Sequence, residues 1–195
     1  MTGCHGFIGS NIVNKLLENN QIVYGIDRRK KKNIKNKNFT FIKGDLQKIN
    51  PLNRIKDKIN YVVHQASLTS VVESYQHPEK YIYENFSSYK NIVEFCINKK
   101  VKSLVFASSS AVYGNSIKKN FEKSTKINAF ENFNLSPYAI SKKMMEVYSN
   151  AFKTSFPIIS LRYFNVFGPG QKIIGNNLPI ISNWINLMIH SKKLI

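Results

Sequence analysis

The chain has 195 residues, with 29 Lys and Arg against 11 Asp and Glu, a formal net charge of +18. A hydrophobic fraction of 43% with 12% aromatic residues excludes wholesale disorder, and the length suits one core, or one and a fraction. No apolar run approaches the roughly 20 residues that span a bilayer, and no basic-then-apolar leader opens the chain, so the expectation is a cytoplasmic protein without a membrane partner. Cys4 and Cys96 cannot build a disulfide framework and stand at no metal-ligand spacing from a histidine, so no metal is expected.

In chain order, the apolar spacing of Phe7, Ile8, Ile12, Val13, Leu16 and Leu17 predicts a helix that Asn19 and Asn20 stop. β-rich runs follow at 22–26, ending at Asp27, and at 39–42, ahead of Gly44-Asp45-Leu46. Residues 61–64 read as a buried strand that leads into a polar loop to Ser70, then a long helix over about 81–99. A strand at 103–107 runs into Ser108-Ser109-Ser110, and 115–134 reads as a polar loop. Ser136 as N-cap and Pro137 at the first helical position predict a helix to about Thr154. Pro157 opens a strand over 158–162, and a last helix covers about 179–190. Strands alternating with helices predict an α/β fold, a doubly wound parallel sheet with helices on both faces.

The basic excess is densest from Arg28 to Lys37 and invites a nucleic-acid reading. All but four of the basic residues are lysine, however, and they are spread among many Asn and Ile, all encoded by AT-rich codons. With no zinc-finger, RRM or helix-turn-helix pattern, a solvated basic surface is expected, without nucleic acid as a partner.

Gly3, Gly6 and Gly9 stand at three-residue intervals directly before the first helix, in Thr2-Gly3-Cys4-His5-Gly6-Phe7-Ile8-Gly9. Glycine permits the tight turn and close backbone approach to a pyrophosphate, with the helix N-terminus facing the negative charge. Asp27, 18 residues after Gly9 at a strand end, is placed to accept hydrogen bonds from adenosine ribose hydroxyls, which favours NAD; Arg28 and Arg29 beside it weaken that preference. His5, beside Gly6, is within approach of the same phosphates, and Cys4 reads as a small filler. Tyr138 and Lys142 are four residues apart on one helix face. A tyrosine working as a base near neutrality must shift by roughly 3 units, about 4 kcal/mol; the Lys142 cation and the helix N-terminus are expected to supply part of it.

With these residues go Gly44-Asp45-Leu46, His64-Gln65-Ala66-Ser67, Asn85 and Asn91, Ser108 to Gly114, Ser136 to Lys142, and Leu161-Arg162-Tyr163-Phe164-Asn165 on to Pro169. Together they resemble the extended short-chain dehydrogenase/reductases, within them the NAD-dependent epimerase/dehydratase family, and especially the UDP-glucose and UDP-N-acetylglucosamine 4-epimerases. The resemblance implies a Rossmann-like fold, NAD as cofactor, a UDP-sugar as substrate and transient oxidation at C4 of the sugar. It implies that Tyr138 exchanges the 4-hydroxyl proton, Lys142 binds the nicotinamide ribose and keeps Tyr138 acidic, and Ser109 hydrogen-bonds the reacting oxygen, with Ser110 beside it. Gly3, Gly6, Phe7, Ile8, Gly9, Asp27, Asp45, Leu46, Ala66, Lys142 and Tyr163 are then the cofactor residues. Asn165, with Asn176 or Asn177, contacts the substrate phosphates. Dehydratases of this type carry an Asp-Glu pair after the catalytic Ser or Thr and decarboxylases a Glu; Ser110 and Ala111 stand there, so epimerisation is favoured over either.

Against that family the first strand and most of the substrate domain are absent, so that 1–171 is expected to form the NAD-binding domain and 172–195 the start of a truncated second one. Two unpaired strand edges inside the sheet are the expected consequence. A non-catalytic remnant that at most binds NAD is the alternative reading. A homodimer through the helices at about 81–99 and 137–154 is implied by the resemblance.

Overall fold

The computed structural model describes residues 1–29, 34–114, 135–171 and 180–189. Strands β1 (Val23–Asp27), β2 (Phe39–Lys43), β3 (Tyr61–His64), β4 (Ser103–Ser109) and β5 (Ile158–Tyr163) alternate with helices. The helices are α1 (Phe7–Glu18), α2 (Asn50–Asn53), α3 (Val71–Gln76), α4 (Pro78–Lys99), α5 (Pro137–Asn150) and α6 (Ile180–Ile189), with a 3₁₀ turn at Ser110–Tyr113. Every pairing between these strands is parallel: β1 with β2, and β4 between β3 and β5.

The place between β1 and β3 is not empty. Thr2 bridges in parallel to Ile26 on one side and His64 on the other. The Thr2 N–H donates to Val63 O at 2.9 Å, the Gly3 N–H to Ile26 O at 2.9 Å, and the Ile26 N–H to Met1 O at 2.9 Å. The chain-terminal amine of Met1 donates to Tyr24 O at 2.8 Å, and burial lowers its pKa to about 6. The expectation of two bare edges is therefore corrected at the site end of the sheet. There, two residues give the spatial order β2-β1-Thr2-β3-β4-β5, which is the Rossmann order with Thr2 in the central position.

Alternation along the strands sorts side chains to two faces. Val23 and Phe39 pack with Cys4, Val13 and Leu17 under α1, whereas Ile26, Ile42, Val62, Leu104 and Phe106 join the larger core with α4 and α5. Cys4 is thus a filler, its thiol pushed up to about 12 by burial.

Element bounds follow local chemistry. The helix expected at 81–99 begins three residues earlier because Pro78 occupies its first turn, and it ends where Lys100 turns left-handed at φ 51°. Ser136 caps α5, accepting from the Ala139 N–H at 3.1 Å, but α5 stops at Asn150, short of Thr154; i→i+3 bonds from Ala151 and Phe152 tighten the chain there. Helix α3 was not expected. Its signal is Ser70-Val71-Val72-Glu73, in which Ser70 Oγ accepts from the Glu73 N–H at 3.1 Å. The expected loop at 115–134 lies outside the described residues, and so does most of the expected second domain at 172–195. Among the described residues no helix is long and apolar enough to cross a membrane.

Candidate active site

The C-terminal ends of the parallel strands open into a cleft of about 670 Å³, where ligands bind in open α/β sheets. One wall is the glycine loop. Gly3 has φ +64°, and a Cβ there would lie 2.8 Å from Ala66 N; a Cβ on Gly9 would lie 2.0 Å from Gly3 O. These two positions require glycine because the loop packs against itself and against the turn after β3. Gly6 closes the turn, donating to Gly3 O at 3.0 Å, and as N-cap of α1 it has no side chain to mask the helix N-terminus. Gly6, Phe7, Ile8 and Gly9 line the cleft, so the positive end of a 12-residue helix faces it.

His5 does not join this wall. Its backbone N–H donates to Asp27 Oδ2 at 3.0 Å, while its buried ring meets Phe41 edge-on at 4.7 Å. Asp27 accepts from Arg29 N–H as well, at 3.2 Å, so that the carboxylate is fixed at the β1 end of the cleft. Leu46 is buried in the lining, and Ala66 lies across from Gly3. Asp45 stands outside the lining: it caps its own turn through Gln47 N–H at 3.0 Å and faces Arg28 Nε at 3.7 Å.

At the other end stand Ser109, Tyr138, Lys142, Tyr163 and Asn165, carried by β4, α5, β5 and the turn after β5. Lys142 is 1% exposed, and its ammonium donates to Ser67 Oγ at 2.9 Å and Ala107 O at 2.8 Å. Burial lowers its pKa to about 7. Its Nζ is 5.8 Å from the Tyr138 ring centroid. Burial raises the Tyr138 pKa, and a hydrogen bond with Ser109 lowers it by less. In this state the hydrogen bonds of Lys142 go to Ser67 and Ala107, and its ammonium faces the Tyr138 ring. Ser109 Oγ also accepts from the Ala111 N–H at 3.1 Å, which starts the 3₁₀ turn. Ser110 opens that turn and does not line the cleft. Burial raises the Tyr163 pKa. Asn176 and Asn177 lie outside the described residues.

Several supporting residues were not expected. Glu146, one turn beyond Lys142, accepts from Arg162 Nε at 2.9 Å and Nη2 at 2.8 Å, and from Ser108 Oγ at 2.5 Å. The two-pronged pair raises the Arg162 pKa, and the guanidinium lies 4.8 Å from the Tyr113 ring centroid. Asn85 clamps the loop after β3, accepting from Leu68 N–H at 2.7 Å and donating to Leu68 O at 3.1 Å and Ser141 Oγ at 3.0 Å. Asn91 donates to Leu46 O at 2.8 Å and fixes the turn after β2. The sequence marked both asparagines by their spacing, not by these contacts.

Thr2 ties the two walls together. Its hydroxyl accepts from the N–H groups of Gln65 at 3.1 Å and Ala66 at 3.2 Å, and so donates to His64 Nδ1 at 2.8 Å. His64 is 1% exposed, its pKa lowered to about 3 by burial and by the charges of Lys142 and the chain terminus. It is a neutral structural histidine, as its place at a buried strand end suggests.

Residues 1–195 match the family described as NAD dependent epimerase/dehydratase. A Bacillus subtilis protein, the uncharacterized UDP-glucose epimerase YtcB, is 34% identical over 189 residues, 88% of this chain and 57% of its own. The dTDP-D-glucose 4,6-dehydratase of Dictyostelium discoideum is 31% identical over 213 residues, 99% of this chain and 48% of its own. Among solved structures, the UDP-N-acetylglucosamine 4-epimerase from Methanobrevibacter ruminantium M1, in complex with UDP-N-acetylmuramic acid, superposes with a TM-score of 0.85 at 34% identity. That match covers 98% of this chain and 62% of the other, so this chain spans about half to three fifths of the proteins it resembles.

Proposed function

The chain belongs to the NAD dependent epimerase/dehydratase family, and within it we propose that this protein is a nucleotide-sugar 4-epimerase acting on a UDP-hexose or UDP-N-acetylhexosamine. The observation that carries the reading is the grouping of Tyr138, Ser109 and the buried Lys142 at one end of a cleft whose lining carboxylates among the described residues, Asp27 and Glu84, lie beside Arg28. Elimination of water needs an acid beside the sugar, and Glu146, one turn beyond Lys142, is held by Arg162 and Ser108. Dehydratases are nonetheless among the relatives.

The residues fit the cofactor. The cleft joins the open end of α1, for a pyrophosphate, to Asp27, for ribose hydroxyls, and to Lys142 at its far end. NAD, when bound, supplies hydride exchange and a positive ring charge. Tyr138 Oη takes the proton of the sugar 4-hydroxyl as C4 is oxidised, and returns it after the 4-ketosugar has presented its other face. The Ser109 hydroxyl holds the reacting oxygen. The Lys142 ammonium orients ribose hydroxyls and, once hydrogen-bonded there, keeps its proton near neutrality. Asn165, which lines the same end of the cleft, contacts the diphosphate in this reading. Exposed Tyr83 and Ile97 on α4 and Ile140 and Val147 on α5, at near-heptad spacing on each helix, support a homodimer through these two helices.

The test is NAD titration of the 195-residue chain by calorimetry, with epimerisation of UDP-N-acetylglucosamine and UDP-glucose in the same preparation. Tyr138→Phe is expected to keep NAD binding and to lower turnover about 10²- to 10⁴-fold. Turnover unchanged in that variant refutes the assigned chemistry; NAD binding without turnover in the unmodified chain supports instead a cofactor-binding piece of a longer enzyme.

A further inference from the structure

At the β1 end of the cleft the side chain that follows Asp27 is not free. The Arg28 Nη2 donates to Glu84 Oε2 at 2.6 Å, and its Nε faces Asp45 Oδ1 at 3.7 Å. Glu84 comes from α4, fifty-six residues along the chain, and both it and Arg28 line the cleft. Its side chain is 16% exposed against 47% for Arg28, so the carboxylate is the fixed partner and the guanidinium the recruited one.

We propose that Glu84 determines cofactor specificity: by holding the Arg28 guanidinium, it withholds from a 2′-phosphate the cation that stands next to Asp27. An arginine directly after the ribose-binding carboxylate is where a 2′-phosphorylated dinucleotide would find its counter-charge, because a guanidinium meets phosphate through two parallel hydrogen bonds. Here that fork is turned to Glu84 and Asp45. The phosphate would meet Asp27, with Arg29 the other cation that lines this end of the cleft among the described residues. The sequence alone sets Arg28 and Arg29 against a preference for NAD; the ion pair from α4 removes Arg28 from that opposition.

The inference rests on the cofactor occupying this cleft, and one titration separates the two readings. The full chain is titrated with NAD and with NADP, as are Glu84→Gln, Glu84→Asp and the double variant Arg28→Ala/Glu84→Gln. The unmodified chain is expected to favour NAD, and Glu84→Gln to shift the affinity ratio towards NADP by about tenfold. Glu84→Asp keeps the negative charge but draws it back by one methylene, so it produces a similar shift if the hold on Arg28 matters, and none if Glu84 acts only by repelling phosphate. The double variant loses the gain. A ratio that Glu84→Asp does not move, or an unmodified chain that binds both forms equally, overturns the proposal and leaves the NAD site standing; a chain that binds neither overturns both. A merely structural role for Glu84 would weaken both titrations alike and leave the ratio unchanged, which also overturns it.

Discussion

Removing the Thr2 hydroxyl tests the central join of the sheet. Thr2 is 2% exposed, and its Oγ1 is fully engaged, with two backbone N–H groups donating to it and its own proton on His64 Nδ1. Thr2→Val keeps the shape and deletes all three bonds. Gln65 N–H retains Thr2 O at 3.4 Å, but Ala66 N–H and His64 Nδ1 lose their acceptor and donor in a buried place. Each such orphan costs about 1–3 kcal/mol, so the two should cost the variant about 2–6 kcal/mol, a large share of the 5–15 kcal/mol typical of a domain. Thr2→Ser keeps the hydroxyl and loses one methyl, for about 1 kcal/mol. Urea unfolding of the three proteins at pH 7 reads the difference. Thr2→Val as stable as Thr2→Ser would refute the reasoning, since the hydrogen bonds would then contribute nothing beyond packing.

Two other outcomes are expected. Lys142 has a folded pKa of about 7 against 10.5, so between these values the unfolded chain holds the proton and the folded one does not; stability therefore rises with pH across that window, and the cost of burying the charge is complete below about pH 7. In cofactor-free protein, Lys142→Met should be the more stable form at pH 6, with its advantage shrinking by up to about 1.4 kcal/mol per pH unit above 7; stability curves that run parallel from pH 6 to 10 would contradict this. The lowered Met1 amine is common to both proteins and cancels in the comparison. Gly9→Ala would raise stability on an open helix by up to about 1 kcal/mol, but a Cβ 2.0 Å from Gly3 O forces the loop apart, so a loss of about 2 kcal/mol is expected in thermal or urea unfolding. A stabilised variant would show that the loop yields.

What the sequence disclosed depended on how local the cause was. The strands β1 to β5 and the helices α1, α4 and α5 were legible because apolar period, proline and caps act within a few residues; α3 carried the same kind of signal in Ser70 and Glu73 and was passed over. Tyr138, Lys142 and the glycines were legible as types at fixed spacing, Ser109 only through the family resemblance. What Lys142 actually touches was not, because Ser67 reaches it from the loop after β3 and Ala107 from β4. For the same reason the sequence does not show that the His5 ring packs on Phe41 or that Asp45 caps its own turn and faces Arg28. Glu84 and Glu146 were invisible: each matters only through an arginine that folding brings to it.

The join at Met1 and Thr2 also bears on ligand binding. Among the described residues, the backbone hydrogen bonds across the middle of the sheet are made by Met1, Thr2 and Gly3, whereas β1–β2 and β3–β4–β5 are each laddered along their length. Thr2 thus joins the β1–β2 pair to the β3–β4–β5 ladder along a seam at the site end of the sheet. The cleft straddles it, with Gly3 and Asp27 on one side and Ala66 and Lys142 on the other. A ligand spanning those walls contacts both ladders at once, so its binding stabilises them together.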